Sequence, residues 1–148
     1  MNIEVRHITE LLAKHGIKPS AQRIAVMRYM LTHHTHPTVD EIYRALVPEY
    51  PTMSRTTVYN TLKLMVENRC ITGLSIDNAN ARFDGVTEPH AHFMCKQCGR
   101  ITDIPLDRMP MAPSGMEWHE TEVYFRGLCE NCITKINHIH QQFKDYPK

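Results

Sequence analysis

The chain has 148 residues, of which 42% are hydrophobic and 22% are charged, and these proportions exclude a disordered or fibrous protein. No apolar run is long enough to span a membrane, and the first ten residues lack the apolar core of a secretory signal, so we expect a cytoplasmic protein. The net charge is only +1, yet the first 69 residues hold nine Lys and Arg against six Asp and Glu, and the remainder holds eight against ten. This asymmetry suggests two small domains with different partners.

The first half of the chain predicts four helices, because apolar residues recur there at helical spacing. Ser20 is expected to cap the second helix. Thr38 and Glu41 have the spacing of a capping box and open the third. The fourth begins after Ser54 and runs to about Cys70.

The fourth predicted helix has two distinct faces. One is apolar, and the other is polar and suits entry into a DNA major groove, because Arg and Lys neutralise phosphates and Asn and Arg can bond base edges. The alternative is a solvated face of a helical bundle, and the basic balance of this half favours DNA. The candidate DNA-binding residues are Arg55, Thr56, Tyr59, Asn60 and Lys63.

After Arg69 the pattern changes to short segments that resemble strands, at residues 70–76, 81–83, 90–95, 100–104 and 121–125. The first two read as a hairpin, which is the usual wing of a winged helix-turn-helix domain. Residues 105–118 carry three prolines and are expected to be irregular, and residues 133–143 return to helix. The fold class is therefore α+β, with a winged helix-turn-helix domain followed by a small α/β domain.

Four of the five cysteines form two C-x-x-C pairs, Cys95 with Cys98 and Cys129 with Cys132. Four thiolates are the ligand set of a tetrahedral structural zinc site, which is closed and therefore stabilises rather than catalyses. The alternative is a pair of redox motifs or disulfides, which needs a reactive context that the sequence does not show. Cys70 is left over and is expected to be a small core residue.

Histidines give the second chemical signal. His90 and His92 lie two apart on a predicted strand, so their side chains share a face. Asp84 and Asp103 are close by in the sequence. Imidazoles with carboxylates suit Fe(II) or Mn(II), with zinc as a competitor, although each histidine alone is more often an ordinary surface residue.

Over nearly its whole length, the chain resembles the ferric-uptake-regulator (Fur) family. The resemblance rests on six segments in the order and spacing of the family: AQR at 21–23, HPTVDEIY at 36–43, TTVYNTL at 56–62, RFD at 82–84, HAHFMCKQCG at 90–99 and CENC at 129–132. It implies a homodimeric, metal-activated transcriptional repressor that binds palindromic operators. Residues 1–80 would bind DNA, and residues 81–148 would dimerise and sense metal.

Within the family, the chain looks like the peroxide-sensing (PerR-like) branch. The resemblance implies one structural Zn²⁺ per subunit and one regulatory Fe²⁺ or Mn²⁺, the latter held by three histidines and two aspartates: His36, Asp84, His90, His92 and Asp103. Iron sensors more often have glutamate where this chain has Asp84, and an acidic residue where it has Ala91. Peroxide reacting at bound iron would oxidise His36 or His90 and release the DNA.

Three points leave alternatives open. An iron, manganese or zinc homeostasis repressor of the same family would share these residues without sensing peroxide. A zinc-dependent hydrolase or deaminase is a remote alternative, because His92 stands where the deaminase motif needs glutamate and no H-E-x-x-H motif occurs. The expectation is therefore that the protein is not an enzyme. Finally, family members usually carry a helix where this chain has the Pro-rich segment, which leaves the dimer geometry open.

Overall fold

Four helices precede the first strand, as the sequence predicts. The computed structural model describes residues 4–144. The helices are α1 (Val5–Lys14), α2 (Ala21–Thr32), α3 (Val39–Leu46) and α4 (Arg55–Glu67). The three predicted N-caps are confirmed: the Ser20 and Ser54 hydroxyls each accept a backbone N–H, and Thr38 and Glu41 form a complete capping box.

Helix α4 ends at Glu67, three residues before the predicted end at Cys70. Asn68 caps the helix, and Arg69 adopts a left-handed conformation with φ +57°. That conformation turns the chain out of the helix. Cys70 then enters the core with 3% of its surface exposed, as predicted for a structural cysteine.

The first unit of the chain, up to Glu88, contains the main apolar core. Its helices bury the residues that the helical spacing predicted, and α4 contributes Val58, Leu62 and Met65, none of which has any exposed surface. Strands β1 (Thr72–Leu74) and β2 (Arg82–Asp84) form an antiparallel hairpin, as predicted for the wing.

The second unit begins at Pro89 rather than after residue 80. The boundary lies later than the sequence suggested because β2 pairs with β1 and so belongs to the first unit. Strands β3 (Ala91–Cys95), β4 (Ile101–Ile104) and β5 (Tyr124–Gly127) form a sheet in the order β4-β3-β5. Strand β4 is antiparallel to β3 and β5 is parallel to it.

Two elements of the second unit differ from their predicted limits. Strand β5 lies about three residues later than the predicted segment at 121–125, and helix α5 (Glu130–Lys144) begins inside the second C-x-x-C pair rather than at Ile133. Residues 105–118 contain no helix or strand, as expected from their prolines, whereas residues 121–123, which were predicted as strand, are irregular as well. None of the helices described between residues 4 and 144 combines the length and apolar character that a membrane span requires.

A small apolar core distinguishes the second unit from the first. Among its described residues, the buried apolar side chains are Ala91, Cys95 and Cys132. Two of these three are cysteines of the C-x-x-C pairs. Apolar burial therefore contributes little to holding this unit together, and a cross-link among the cysteines has to contribute more.

Gly85 follows β2 directly, and an added Cβ there would lie 2.6 Å from the backbone carbonyl oxygen of Met30. That contact is with backbone and cannot be relieved by a rotamer change. We expect Gly85→Ala to lower the free energy of unfolding of the first unit by about 1–3 kcal/mol. Gly73→Ala is the matched control, because its Cβ would make ordinary 3.6 Å contact with Val66. Equal urea unfolding midpoints for the two variants would contradict the predicted clash at position 85.

Candidate functional site

The four paired cysteines converge in the second unit. Their sulfur atoms all lie within 4.8 Å of one another, and the Cys98 and Cys129 sulfurs are 3.8 Å apart. Four sulfurs bound at about 2.3 Å to a tetrahedral zinc lie about 3.8 Å from each other. The donor set and its spacing therefore fit a structural Zn²⁺.

The electrostatics of this cluster also suit a cation. Backbone N–H groups of Cys98 and Cys129 that donate to the Cys95 sulfur lower the pKa of that thiol to about 6. The neighbouring Cys129 sulfur, to which Cys132 donates, and burial raise the pKa of Cys132 to about 12. One thiolate is thus stable beside its neighbours, whereas four need a bound cation to offset their mutual repulsion.

The structure brings His36 and Asp84 together within the first unit. The Nε2 atom of His36 lies 3.6 Å from Oδ2 of Asp84, and each side chain is only 3% exposed. A buried charged pair is costly to desolvate unless further partners are present. Both residues offer donors that Fe(II), Mn(II) or Zn(II) accept, so this pair can supply two ligands to a divalent ion.

The loop before α3 fixes the position of His36. His36 has φ +51°, which is a strained conformation for a residue with a Cβ. Its carbonyl accepts a hydrogen bond from Arg82 Nη1, and the Pro37 carbonyl accepts one from the Phe83 N–H. The loop is therefore bonded to strand β2, and β2 ends at Asp84.

The other predicted histidines and aspartate converge in the second unit. His92 and Asp103 are directly opposite each other in the antiparallel β3–β4 register. Asp103 Oδ1 lies 3.3 Å from Nε2 of His92 and 3.2 Å from Nε2 of His90. Donors bound at about 2.1 Å to one ion are separated by about 3.0–3.4 Å, so these three residues have the spacing of neighbouring ligands.

Two residues that the sequence analysis did not single out support these donors. Tyr124, opposite His92 in the parallel β3–β5 register, packs its ring edge-on against the imidazole at 6.3 Å between centroids. Arg82 holds the His36 carbonyl and also pairs with Asp77 of the hairpin turn at 3.0 Å. Neither role has a sequence signal, because the Tyr124 contact depends on strand register and Arg82 contacts a loop that is distant in the chain.

The predicted DNA-binding residues of α4 are all exposed: Arg55, Thr56, Tyr59, Asn60 and Lys63. They lie on the face opposite the buried Val58 and Leu62. Arg55 is not a freely moving side chain, because its Nε donates to Asp40 at 2.8 Å and its guanidinium lies 4.2 Å from the centre of the Tyr43 ring.

A groove of about 450 Å³ runs beside this face. Its lining combines residues 18–20, which precede α2, and Gln22 and Arg23 in the first turn of α2 with residues of α4 that include Thr57 and Asn60. Lys18 and Arg23 make it basic. A concave basic surface beside the N-terminal half of a helix with exposed polar side chains suits a nucleic-acid backbone.

A winged helix-turn-helix unit followed by a unit with a Cys₄ cluster defines the chain as a metal-binding transcription regulator. Residues 14–122 match the sequence profile of the Ferric uptake regulator family. The chain belongs to this family, as its motifs suggested.

Relatives within the family extend over most of the chain. The peroxide operon regulator of Bacillus subtilis is 34% identical over 143 residues, covering 91% of this chain and 97% of that protein. The structure of PerR from Streptococcus pyogenes is 28% identical, with a TM-score of 0.50, covering 86% of this chain and 92% of that one. The fold also matches the Helicobacter pylori ferric uptake regulator Fur, with a TM-score of 0.68 at 20% identity, covering 90% of this chain and 97% of that one.

These comparisons confirm the predicted fold class and the assignment to a family of metal-dependent transcriptional repressors. Members of the family are regulators and not enzymes, so the hydrolase alternative is dropped. The peroxide regulators among the relatives agree with the branch that the sequence suggested.

Zinc removal should unfold the second unit, because the thiolate cluster replaces an apolar core there. We expect Cys95→Ser to reduce bound zinc from one equivalent per chain to well below one half and to abolish cooperative melting of this unit. Cys70→Ala is the matched control: it also removes one thiol, but from the other unit, and should keep its zinc. A stable, zinc-free Cys95→Ser protein would contradict the assignment.

Proposed function

We propose that the protein is a cytoplasmic, homodimeric repressor that binds palindromic DNA when its regulatory site holds Fe(II) or Mn(II), and that peroxide inactivates the iron form. The observation that carries the metal dependence is the buried His36–Asp84 pair, which lies where the loop before α3 is bonded to the wing. The observation that carries the peroxide response is the relationship to the Bacillus subtilis regulator.

Helix α4 supplies the DNA contacts in this proposal. Its exposed residues Arg55, Thr56, Tyr59, Asn60 and Lys63 would enter the major groove, and the adjacent groove lined by Lys18 and Arg23 would follow the phosphates. Tyr59 is 48% exposed, which leaves its ring available to pack on a thymine methyl or its hydroxyl to bond a phosphate.

Dimerisation is proposed through the second unit, which exposes large apolar side chains on β5, on α5 and on the link between them. These are Phe125, Leu128, Ile133 and Ile139, each between 39% and 50% exposed. A unit with so small a core of its own gains apolar burial from a second copy. Two winged helices related by a two-fold axis would then read two half-sites of a palindrome.

The regulatory ligands proposed are His36 and Asp84 from the first unit and His90, His92 and Asp103 from the second. Together they would supply three imidazoles and two carboxylates, a donor set that suits Fe(II) or Mn(II). Ligation by His36 and Asp84 would fix the loop before α3 against strand β2. Because α3 and β2 belong to the helix-turn-helix and the wing, this favours one arrangement of the DNA-binding surface.

Peroxide sensitivity follows from the ligands. If Fe(II) were held by these residues, it would supply the reductant that converts peroxide into an oxidant beside them, a reactivity that Mn(II) lacks. His36 and His90 would be the residues oxidised, and an oxidised imidazole would lose the lone pair that a ligand donates. The protein would then lose affinity for metal and DNA together.

The metal-homeostasis repressor remains the second candidate, because the same five residues would serve it. The two functions differ only in the response of the iron form to peroxide. Whether peroxide releases the iron-loaded protein from DNA therefore decides between them.

DNA recognition by α4 can be tested with Tyr59→Ala combined with Asn60→Ala. We expect the double variant to lose about tenfold or more in affinity for a selected operator, because two base-edge or methyl contacts disappear. Lys63→Ala should weaken all duplexes alike and reduce the salt dependence by about one unit. Gln141→Ala, exposed on α5, is the control. Unchanged affinity in the double variant would place recognition elsewhere.

Peroxide sensing can be tested by gel shift with Fe(II)- and Mn(II)-loaded protein. Micromolar peroxide should release the iron form from DNA and add one oxygen to His36 or His90, detected by mass spectrometry of peptides. The manganese form should keep its DNA and its histidines. Asp84→Ala should weaken metal-dependent binding before any peroxide is added. An iron form that keeps both DNA and intact histidines would indicate a metal-homeostasis repressor.

A further inference from the structure

Asp40 and Arg55 form an ion pair at the start of the proposed recognition helix. Arg55 is the first residue of α4, and its Nε lies 2.8 Å from Oδ1 of Asp40. The other oxygen, Oδ2, lies 2.8 Å from Nε of Arg44. The ring of Tyr43, 4.2 Å away, supports the Arg55 guanidinium from a third direction. One arginine is thus held by two neighbouring residues of α3.

This arrangement contributes little to stability. The Asp40 and Arg55 side chains are 42% and 56% exposed, and ion pairs at that exposure have small net energies. The hydrogen bond from Arg55 lowers the pKa of Asp40, so its carboxylate is ionised at neutral pH. The contacts instead restrict the rotamers of the long Arg55 side chain.

A guanidinium held in this way keeps donors for another partner. Arginine has five N–H donors, and the bonds to Asp40 and Tyr43 involve Nε and the ring-facing surface. The two Nη groups can still donate as a pair to O6 and N7 of guanine, which is the commonest specific contact in the major groove. An arginine that is already oriented loses less entropy on forming that pair.

Resting on the proposed DNA-binding function, we propose that Asp40 is a specificity-determining residue: with Tyr43 it positions Arg55 to read one guanine in each operator half-site. Asp40 does not touch the DNA in this role. It acts through Arg55.

The charge of Asp40 makes the proposal distinguishable from a simple electrostatic effect. A carboxylate close to DNA repels phosphates, so its removal should strengthen binding to every duplex by a similar factor. Loss of positioning should instead weaken discrimination at one base pair per half-site and leave the other positions unchanged. The two effects have different dependence on sequence.

The experiment uses the full-length, zinc-replete, Mn(II)-loaded protein, which avoids iron chemistry. A randomised duplex pool is first selected with the wild-type protein, and each G·C pair of the selected duplex is then changed to A·T. Affinities are measured for the wild type, Asp40→Asn, Arg55→Ala and the double variant. Glu10→Gln is the matched control, because it neutralises an exposed carboxylate that pairs with Arg6 on α1 at 2.9 Å.

We expect one G·C change per half-site to cost the wild type and Glu10→Gln about tenfold or more. In Asp40→Asn and in Arg55→Ala, the cost of that change should fall below about threefold, with the other penalties kept. The double variant should resemble Arg55→Ala alone at this position, because Asp40 acts through Arg55. Melting temperatures should be the same for Asp40→Asn and Glu10→Gln.

Three outcomes overturn the proposal. A uniform gain of affinity in Asp40→Asn, with the guanine penalty intact, would leave Asp40 with an electrostatic effect only. The wild type could instead select a palindrome in which no G·C change loses its cost in Arg55→Ala. Arg55 would then not recognise a base, although the proposed function would still hold. A wild type that selects no sequence would refute the proposed function itself.

Discussion

The cross-link among four thiols is the constraint on which the second unit depends. This unit buries only Ala91, Cys95 and Cys132 as apolar residues within the part that the structure describes, so hydrophobic burial cannot account for its order. The Cys98–Cys129 separation of 3.8 Å has the length of a tetrahedron edge around zinc. Because Cys95 ends strand β3 and Cys132 lies in helix α5, one ion would join the sheet to the helix that follows it. The sheet register, and with it the contact of His92 with Asp103, then rests on the same cross-link.

The first unit is instead held together by an apolar core, so its polar side chains are available for roles other than stabilising the fold. Val58, Leu62 and Met65 fix the rotation of α4, so the opposite face of that helix has to be exposed. The strained His36 and the hydrogen bonds from β2 place His36 and Asp84, two of the proposed metal donors, at the junction of helix and wing. A residue with φ +51° persists only where its surroundings hold it, and here the surroundings are the elements that metal binding would fix. Packing and the proposed ligation would thus act on the same loop.

Features that depend on residues close together in the chain, or on a distinctive motif, could be predicted from the sequence, whereas features that depend on distant residues could not. The caps at Ser20, Thr38 and Ser54 were predictable because they are made within three residues. The four cysteines were predictable because C-x-x-C pairs have chemistry that few other patterns share. The position of β5 was missed because pairing with β3, and not local propensity, sets it. The role of Tyr124 was missed for the same reason, since register places it opposite His92. The role of Arg82 was missed because it contacts a loop that lies 46 residues earlier in the chain.

Asp40 illustrates what the sequence alone cannot assign. In the sequence Asp40 is an acidic residue in the first turn of a helix. The helix dipole favours a negative charge there, so the residue can be explained without any interaction partner. In the structure the same carboxylate lies against Arg55, fifteen residues away, through the packing of α3 on α4. A helix-turn-helix necessarily brings the first turn of one helix near the next, so an acidic residue there can orient an arginine of the reading face. In the proposed role, the ordering of Arg55 would offset the repulsion between Asp40 and the DNA phosphates.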